Sequence, residues 1–387
     1  MPSPIHVTAI TGGGRLGGPE RVMLDFANLA FEHDIALRVV AGGDGPLVEI
    51  LNNIGVPTVV AAVPRHLGRG TRHGRSVRSL PRALPALYSW SRRLGSHDSV
   101  RNADVILTTA FRSHLGASLA RLHPVVWHLH EFPPTVFWEW IARRVPDGTI
   151  ANSDAVRAAW NAPRMSTVHN GVNLDRFKRR PATGWIHEAL GIPPGSSLIG
   201  APTMLVPWKG HRTIIAAFGQ IRDSVPDAHL VFVGGPIFGT DEEAEYTLSL
   251  TETIGRSARV HLLPFQREIE LAYPEFTLAV DYCVRPEPFG RVVVEAMACG
   301  IPIVAADEGG PREIVGGGSG SQRESGWLVE PRSPGALARV LESAIRLPDE
   351  ARRTLGAAGR RRAEDFFSTR RFAREMAQEL RKAAGKK

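Results

Sequence analysis

Short apolar runs alternate with amphipathic segments along this chain, and the alternation breaks off once and then starts again. Residues 5–10, 36–41, 57–61, 104–108, 124–129, 148–151 and 166–168 read as short buried strands. Between the first two, Val22, Met23, Phe26, Ala27, Leu29 and Ala30 recur at helical spacing and predict an amphipathic helix over 20–31, opening near Pro19. A strand, a helix and a strand in that order make a parallel α/β unit. After Phe177 the segment KRRPATGWIHEALGIPPGSS interrupts the pattern with proline, glycine and polar residues, as a connection between domains would. Strands are then expected at 197–201, 229–233, 259–262, 277–283, 302–305 and 326–329, with helices at 212–224, 242–254 and 291–299. From Pro334 onward the chain reads as helix. A length of 387 residues exceeds what one hydrophobic core supports. Two doubly wound α/β domains in succession follow.

Composition narrows the class. Apolar residues make up 43% and charged residues 22%, as in ordinary globular proteins. No apolar run approaches the roughly 18 residues that span a bilayer, and a first strand at residue 5 leaves no space for a signal peptide, so a cytoplasmic protein is expected. Cys283 and Cys299 have no metal-ligand company, and their plain reading is as small buried side chains, with no metal site. The net charge of +8 is uneven. Between Glu49 and Asp98 there is no acid, while Arg65, Arg69, Arg72, Arg75, Arg78, Arg82, Arg92 and Arg93 fall inside. That interval suits an anionic acceptor or the anionic inner face of a membrane, or is simply a solvated basic surface. The last segment, STRRFAREMAQELRKAAGKK, is basic and amphipathic, and either coats a membrane surface or docks on a domain.

Gly12, Gly14 and Gly17 fit GxGxxG directly after the first strand. Such a loop offers backbone N–H groups at a helix start to any phosphate. The dinucleotide reading needs an acid at the end of the second strand, for which Asp44 is the candidate. In a chain with 39 glycines the spacing alone is weak.

The stretch CVRPEPFGRVVVEAMACGIPIVAADEGGPREIV, from Cys283 to Val315, is more informative. A strand should end near Cys283, a loop carries Glu287, a helix begins at Phe289-Gly290, and Glu295 lies one to two turns in. Open α/β sheets bind ligands at this carboxyl edge. Carboxylates accept paired hydroxyls, and the amides of Phe289, Gly290 and Arg291 at a helix start suit an anion. A nucleotide sugar, with diols at both ends and a diphosphate between, satisfies the set. Gly309-Gly310 with Glu313 is either a further helix-start anion site or a structural turn.

Here the sequence resembles the retaining glycosyltransferases of the GT-B fold, in the large family-4-like group that shares a Glu, seven residues, Glu motif. PEPFGRVVVEAMACGIPIVA looks like that signature, and the resemblance extends over nearly the whole chain through GGPERVMLDFANLAFEHDIALRVVAGGDGPL, VVWHLHE, VHNGVNLDRF, LVPWKGH and LVFVGGP. It implies two Rossmann-like domains facing a central cleft, over 1–178 and 190–366, with a last helix at about 367–387 crossing back to the first. It implies that Glu295 binds the nucleotide ribose and Glu287 the hydroxyls of the transferred sugar. Phe289, Gly290 and Arg291 contact sugar and phosphate through their amides, and Lys209 neutralises the departing diphosphate. His130 lies near the reacting sugar, with His128 a competing candidate on the same side of the strand. Gly17 and Gly18 match the loop that closes over the diphosphate. Two positions depart from the family: Thr203-Met204 stands where a Gly-Arg pair is usual, with Arg291 a candidate substitute cation, and Asn173 replaces the aspartate of NGVD.

The expected reaction is retaining transfer of a hexose-type sugar from a UDP- or GDP-sugar to a hydroxyl of a glycan, lipid-linked or small-molecule acceptor. No cofactor or metal is expected, since Lys209 and the helix-start amides supply the charge on the leaving group. Two other readings stand beside it: an NAD-dependent oxidoreductase using the first glycine loop, and a non-enzymatic basic protein binding lipid or nucleic acid. The basic stretches lack the interleaved aromatics of single-strand binders, so no nucleic-acid partner is expected.

Overall fold

The computed structural model describes residues 4–64, 80–133, 147–162, 164–237, 239–316 and 322–385. The chain forms two compact units, residues 1–171 with 369–387, and residues 172–368. Each is built on one seven-stranded sheet flanked by helices.

In the first unit the strands are β1 (Ile5–Ile10), β2 (Ile35–Ala41), β3 (Thr58–Val60), β4 (Val105–Thr108), β5 (Val125–Leu129), β6 (Gly148–Ala151) and β7 (Met165–Thr167). They pair in parallel in the order β3-β2-β1-β4-β5-β6-β7. The order reverses between β1 and β4, which fixes the switch point of a doubly wound sheet. Ile5, Val7, Ala9, Val105 and Leu107 are buried, as continuous apolar runs in a sheet covered on both faces require. The first helix runs Gly18–Ala27 and gives way to a short 3-10 turn, Ala30–His33. The expected single helix to residue 31 is therefore divided, and the chain leaves the turn through Asp34 in a left-handed conformation.

The second unit holds β8 (Ser197–Pro202), β9 (Ala228–Val233), β10 (Val260–Leu263), β11 (Leu278–Asp281), β12 (Ile303–Ala306), β13 (Gln322–Arg323) and β14 (Gly326–Val329). Their order is β10-β9-β8-β11-β12-β14-β13, with only the two-residue β13 antiparallel. The switch point lies between β8 and β11. The proline- and glycine-rich segment after Phe177 packs into this unit. It contains the helix Trp185–Leu190, Ile186 and Ile192 are buried, and the Glu275 carboxylate accepts from the amides of Thr183 (2.7 Å) and Gly184 (2.9 Å). Val172 and Ser368, the first and last residues of the unit, form an isolated parallel bridge.

The terminal helix, Thr369–Ala383, belongs to the first unit. Its apolar face, Phe372, Ala373, Met376, Ala377 and Leu380, is buried in the core that contains Phe26 and Val126. Docking, not coating a membrane, thus accounts for its amphipathic pattern. Among the described residues no helix is long and apolar enough to cross a membrane. Arg65, Arg69, Arg72, Arg75 and Arg78 lie outside the described residues, as does the side chain of Arg82, while Arg92 and Arg93 are exposed on the helix Leu80–Ser96.

Candidate functional site

The loops that follow β8 and β11 meet at the switch point of the second unit. The N–H of Val284 donates to the carbonyl of Trp208 (2.9 Å). Gly210 has φ +72°, and a Cβ there would lie 2.1 Å from the carbonyl oxygen of Tyr282. Only glycine allows both the left-handed turn and this approach. The turn Pro207–Lys209 is thereby held against the end of β11, and Lys209 Nζ lies 2.7 Å from Glu287 Oε2 and 3.9 Å from Asp281 Oδ1. Two residues 78 positions apart in sequence are thus joined by topology.

The loop after β12 supports Glu287 from the other side. Glu287 and Gly309 form an isolated bridge, and the Gly310 N–H donates to the Glu287 carbonyl (2.9 Å). A Cβ on Gly309 would lie 2.3 Å from that carbonyl oxygen. Gly309-Gly310 therefore serves backbone approach, and the structural-turn reading of this pair is the one the geometry supports. Gly290, at φ +102°, starts the helix Arg291–Ala298, which carries Glu295. Glu295 is 9% exposed, accepts from the Tyr273 hydroxyl (2.9 Å), and has Oε1 3.5 Å from Arg291 Nε. Arg291 is thus engaged with Glu295 across one helical turn. The Phe289 side chain is buried edge-on to Phe367.

Burial would by itself lower the Lys209 pKa, but the Glu287 and Asp281 carboxylates outweigh it and hold the ammonium well above its ordinary range. Burial raises Asp281, against the opposing pull of Lys209. Burial, reinforced by Asp281, likewise keeps Cys283 a thiol. Burial, together with Glu295, keeps Tyr273 protonated and a hydrogen-bond donor.

In the first unit, the glycine loop is fastened to the loop after β2. A Cβ on Gly14 would lie 2.4 Å from the Gly43 carbonyl oxygen, and one on Gly12 2.8 Å from Ala110 Cβ. The Leu47 N–H donates to the Gly14 carbonyl (2.9 Å). Asp44 accepts from the amide of Gly45 (2.9 Å). Two glycines of GxGxxG are thus explained by close packing, Gly14 against backbone and Gly12 against the Ala110 side chain. Gly17 caps the first helix, and its N–H donates to Glu20 Oε2 (3.0 Å), which lies 2.8 Å from where a Gly17 Cβ would be. Gly18 has open space at its Cβ position. His130 is half-buried just past β5, and its ring centroid lies 4.0 Å from that of His128. His128 is buried against Phe372 of the terminal helix, and burial, with His130 beside it, holds its pKa well below the usual value.

Comparison with known proteins adds the identity of the fold. Glycosyltransferase Family 4 matches residues 16–176, and Glycosyl transferases group 1 matches residues 185–362. The chain belongs to this GT-B glycosyltransferase family. It is 29% identical over 383 residues to D-inositol 3-phosphate glycosyltransferase 1 of Catenulispora acidiphila, covering 90% of this chain and 86% of that one. It is 27% identical over 402 residues to D-inositol 3-phosphate glycosyltransferase of Mycobacterium tuberculosis, covering 94% and 78%. Among solved structures it is similar to Anabaena Alr3699/HepE in complex with UDP and glucose, with a TM-score of 0.78, 25% identity, and 97% and 99% of the two chains covered. The fold is shared with sucrose-phosphate synthase of Thermosynechococcus elongatus, with a TM-score of 0.75, 19% identity and 97% and 98% coverage. Membership decides against the oxidoreductase and the non-enzymatic readings.

In this glycosyltransferase the sequence left three site neighbours unmarked. Asp281 falls inside the strand expected over 277–283, Tyr273 draws no reading, and Cys283 reads as a small buried side chain. Cys283 instead has its sulfur 3.5 Å from Asp281 Oδ1 and 3.4 Å from Glu287 Oε2, within thiol hydrogen-bond reach of both acids. The one available signal was the acid ending LAVD, since a strand that ends at a ligand edge rarely buries a carboxylate without use. Thr203-Met204 follows β8 with its backbone against β9: a Cβ on Gly234 would lie 1.8 Å from the Thr203 carbonyl oxygen.

Proposed function

We propose that the chain transfers a hexose-type sugar, with retention, from a UDP- or GDP-sugar to a hydroxyl of a small phosphorylated polyol. The observation that carries the donor assignment is the pairing of Lys209 with Glu287 at the carboxyl ends of two adjacent strands, beside a helix start that presents Glu295. A buried ammonium and helix-start amides of Phe289, Gly290 and Arg291 suit a diphosphate, and two carboxylates suit sugar hydroxyls. Under this proposal Glu295 holds the ribose and Glu287 the transferred sugar. Lys209 stabilises the leaving diphosphate, while the family resemblance assigns Gly17 and Gly18 to the diphosphate and His130 to the reacting sugar. The likeness to D-inositol 3-phosphate glycosyltransferases and to a protein bound to UDP and glucose supports the acceptor and donor classes. The acid-free interval from Arg65 to Arg93 supports an anionic acceptor, free or at an anionic membrane surface.

A thermal-shift screen of UDP, GDP and their sugars tests the donor, because a ligand at a hundredfold its Kd adds about 2.7 kcal/mol of stability. UDP or GDP should raise the melting temperature of the wild type, and Glu295→Ala should abolish the shift. Transfer to inositol phosphate, with the anomeric configuration of the product read by NMR, tests acceptor and stereochemistry together. An inverted product rejects retention. Turnover should survive chelation by EDTA, because charge on the leaving group is met by Lys209. Co-sedimentation with anionic vesicles decides between a free and a membrane-bound acceptor.

A further inference from the structure

The Lys209 pocket contains one more acid than a diphosphate site needs. Asp281 ends β11, 4% exposed, with Oδ1 3.9 Å from the Lys209 ammonium and 3.5 Å from the Cys283 sulfur. Its Oδ2 is buried with no hydrogen-bond partner among the described residues. The charged and titratable groups around it are Lys209 from the loop after β8, Cys283 and Glu287 from its own loop, and Tyr273 from the turn before β11. Cys283 and Tyr273 stay neutral, so two carboxylates share one ammonium, and the ionised cluster carries a net charge of −1.

Adding a diphosphate to such a pocket brings further negative charge against a carboxylate that cannot turn to water. A buried carboxylate in that position relieves the repulsion by taking a proton, and Oδ2, which accepts from nothing, is the oxygen that can receive it. We propose that Asp281 is a positioning residue acting through Lys209: its carboxylate tethers the ammonium in the empty site and is protonated from solvent when a nucleoside diphosphate takes the ammonium over. Burial already raises the affinity of Asp281 for a proton, in the direction this exchange requires. The inference rests on the donor site proposed above. Binding then takes up a proton, so affinity for the diphosphate rises as pH falls through the window between the two Asp281 pKa values.

The test is calorimetric titration of UDP, or GDP if that is the nucleotide bound, in buffers of different ionisation enthalpy at pH 8. There the terminal phosphate, whose second pKa is about 6, is already ionised in solution. The wild type should take up close to one proton. Asp281→Asn, which keeps shape and removes the charge, should take up none and bind on the order of tenfold more tightly at pH 8, as a shift of about two pKa units centred on that pH implies. Binding without proton uptake, or equal uptake in Asp281→Asn, overturns the inference and leaves the donor site standing. If Asp281→Asn does not fold, zero uptake by the wild type alone still overturns it. Absence of binding by both nucleotides removes the donor site itself, and the inference with it.

Discussion

Lys209 illustrates how much one side chain can depend on its neighbours. It is almost fully buried, and its charge is tolerated because Glu287 and Asp281 lie on it. Lys209→Met would leave two carboxylates facing each other without a cation, and removing one partner of a buried pair costs about 3–5 kcal/mol. The variant should melt markedly lower and lose transferase activity, whereas Arg92→Met, on an exposed face, should do neither. Gly210→Ala should act without touching any charge: the added methyl meets the Tyr282 carbonyl, displacing the Lys209 turn, so turnover should fall while a fold reporter such as circular dichroism persists. His114 tests acid behaviour. It is buried against Trp127 with rings 4.2 Å apart, its Nδ1 lies 3.0 Å from the Thr108 hydroxyl, and burial pushes its pKa down to about 3. The unfolded chain binds that proton near pH 6.5, so between about 6.5 and 3 the unfolded state holds more protons and stability falls with pH. His114→Gln should flatten the part of the pH–stability curve that lies in this window. An unchanged slope in urea titrations at pH 4 to 7 would show that His114 does not carry it.

At the scale of elements, the candidate site residues lie on loops at the carboxyl ends of the strands, and the glycines decide how closely those loops meet. In the sequence the spacing of the glycine loop after β1 is a weak signal, and the phosphate role comes from its place at a helix start and from the resemblance at Gly17 and Gly18. Gly12 and Gly14 prove to serve contacts with Ala110 and Gly43, which no spacing rule reports. Likewise Gly309 and Gly310 were readable as an anion site or as a turn, and the close carbonyls of Glu287 and Phe289 account for both glycines by the turn. The terminal helix shows the opposite case, where the amphipathic pattern read from the sequence corresponds to a face buried in the core. Phe372 is 1% exposed in that interface, edge-on to Phe26 at 6.4 Å. Phe372→Ala should cost about 3–5 kcal/mol, seen as a lower denaturation midpoint with an unchanged slope. An effect below about 1 kcal/mol would mean the helix contributes little to that core.

At the scale of the molecule, the chain is two compact units, each with its own sheet and core. Differential scanning calorimetry should then show departure from a single two-state transition. UDP or GDP should raise the transition of residues 172–368, which contain Lys209, Glu287 and Glu295, by mass action on that unit. The sequence determined the class of fold and nearly all strands, because these are local: burial on both sheet faces requires unbroken apolar runs; it nominated Glu287, Glu295 and Lys209 as candidates, the lysine through family resemblance alone. What it did not contain was who stands next to whom. Lys209 meets Glu287, and Asp281 and Cys283 join them, only because β8 and β11 are neighbours at a switch point. Strand order is a long-range property, fixed when the whole core closes, and the electrostatics of a buried acid follow from that closure.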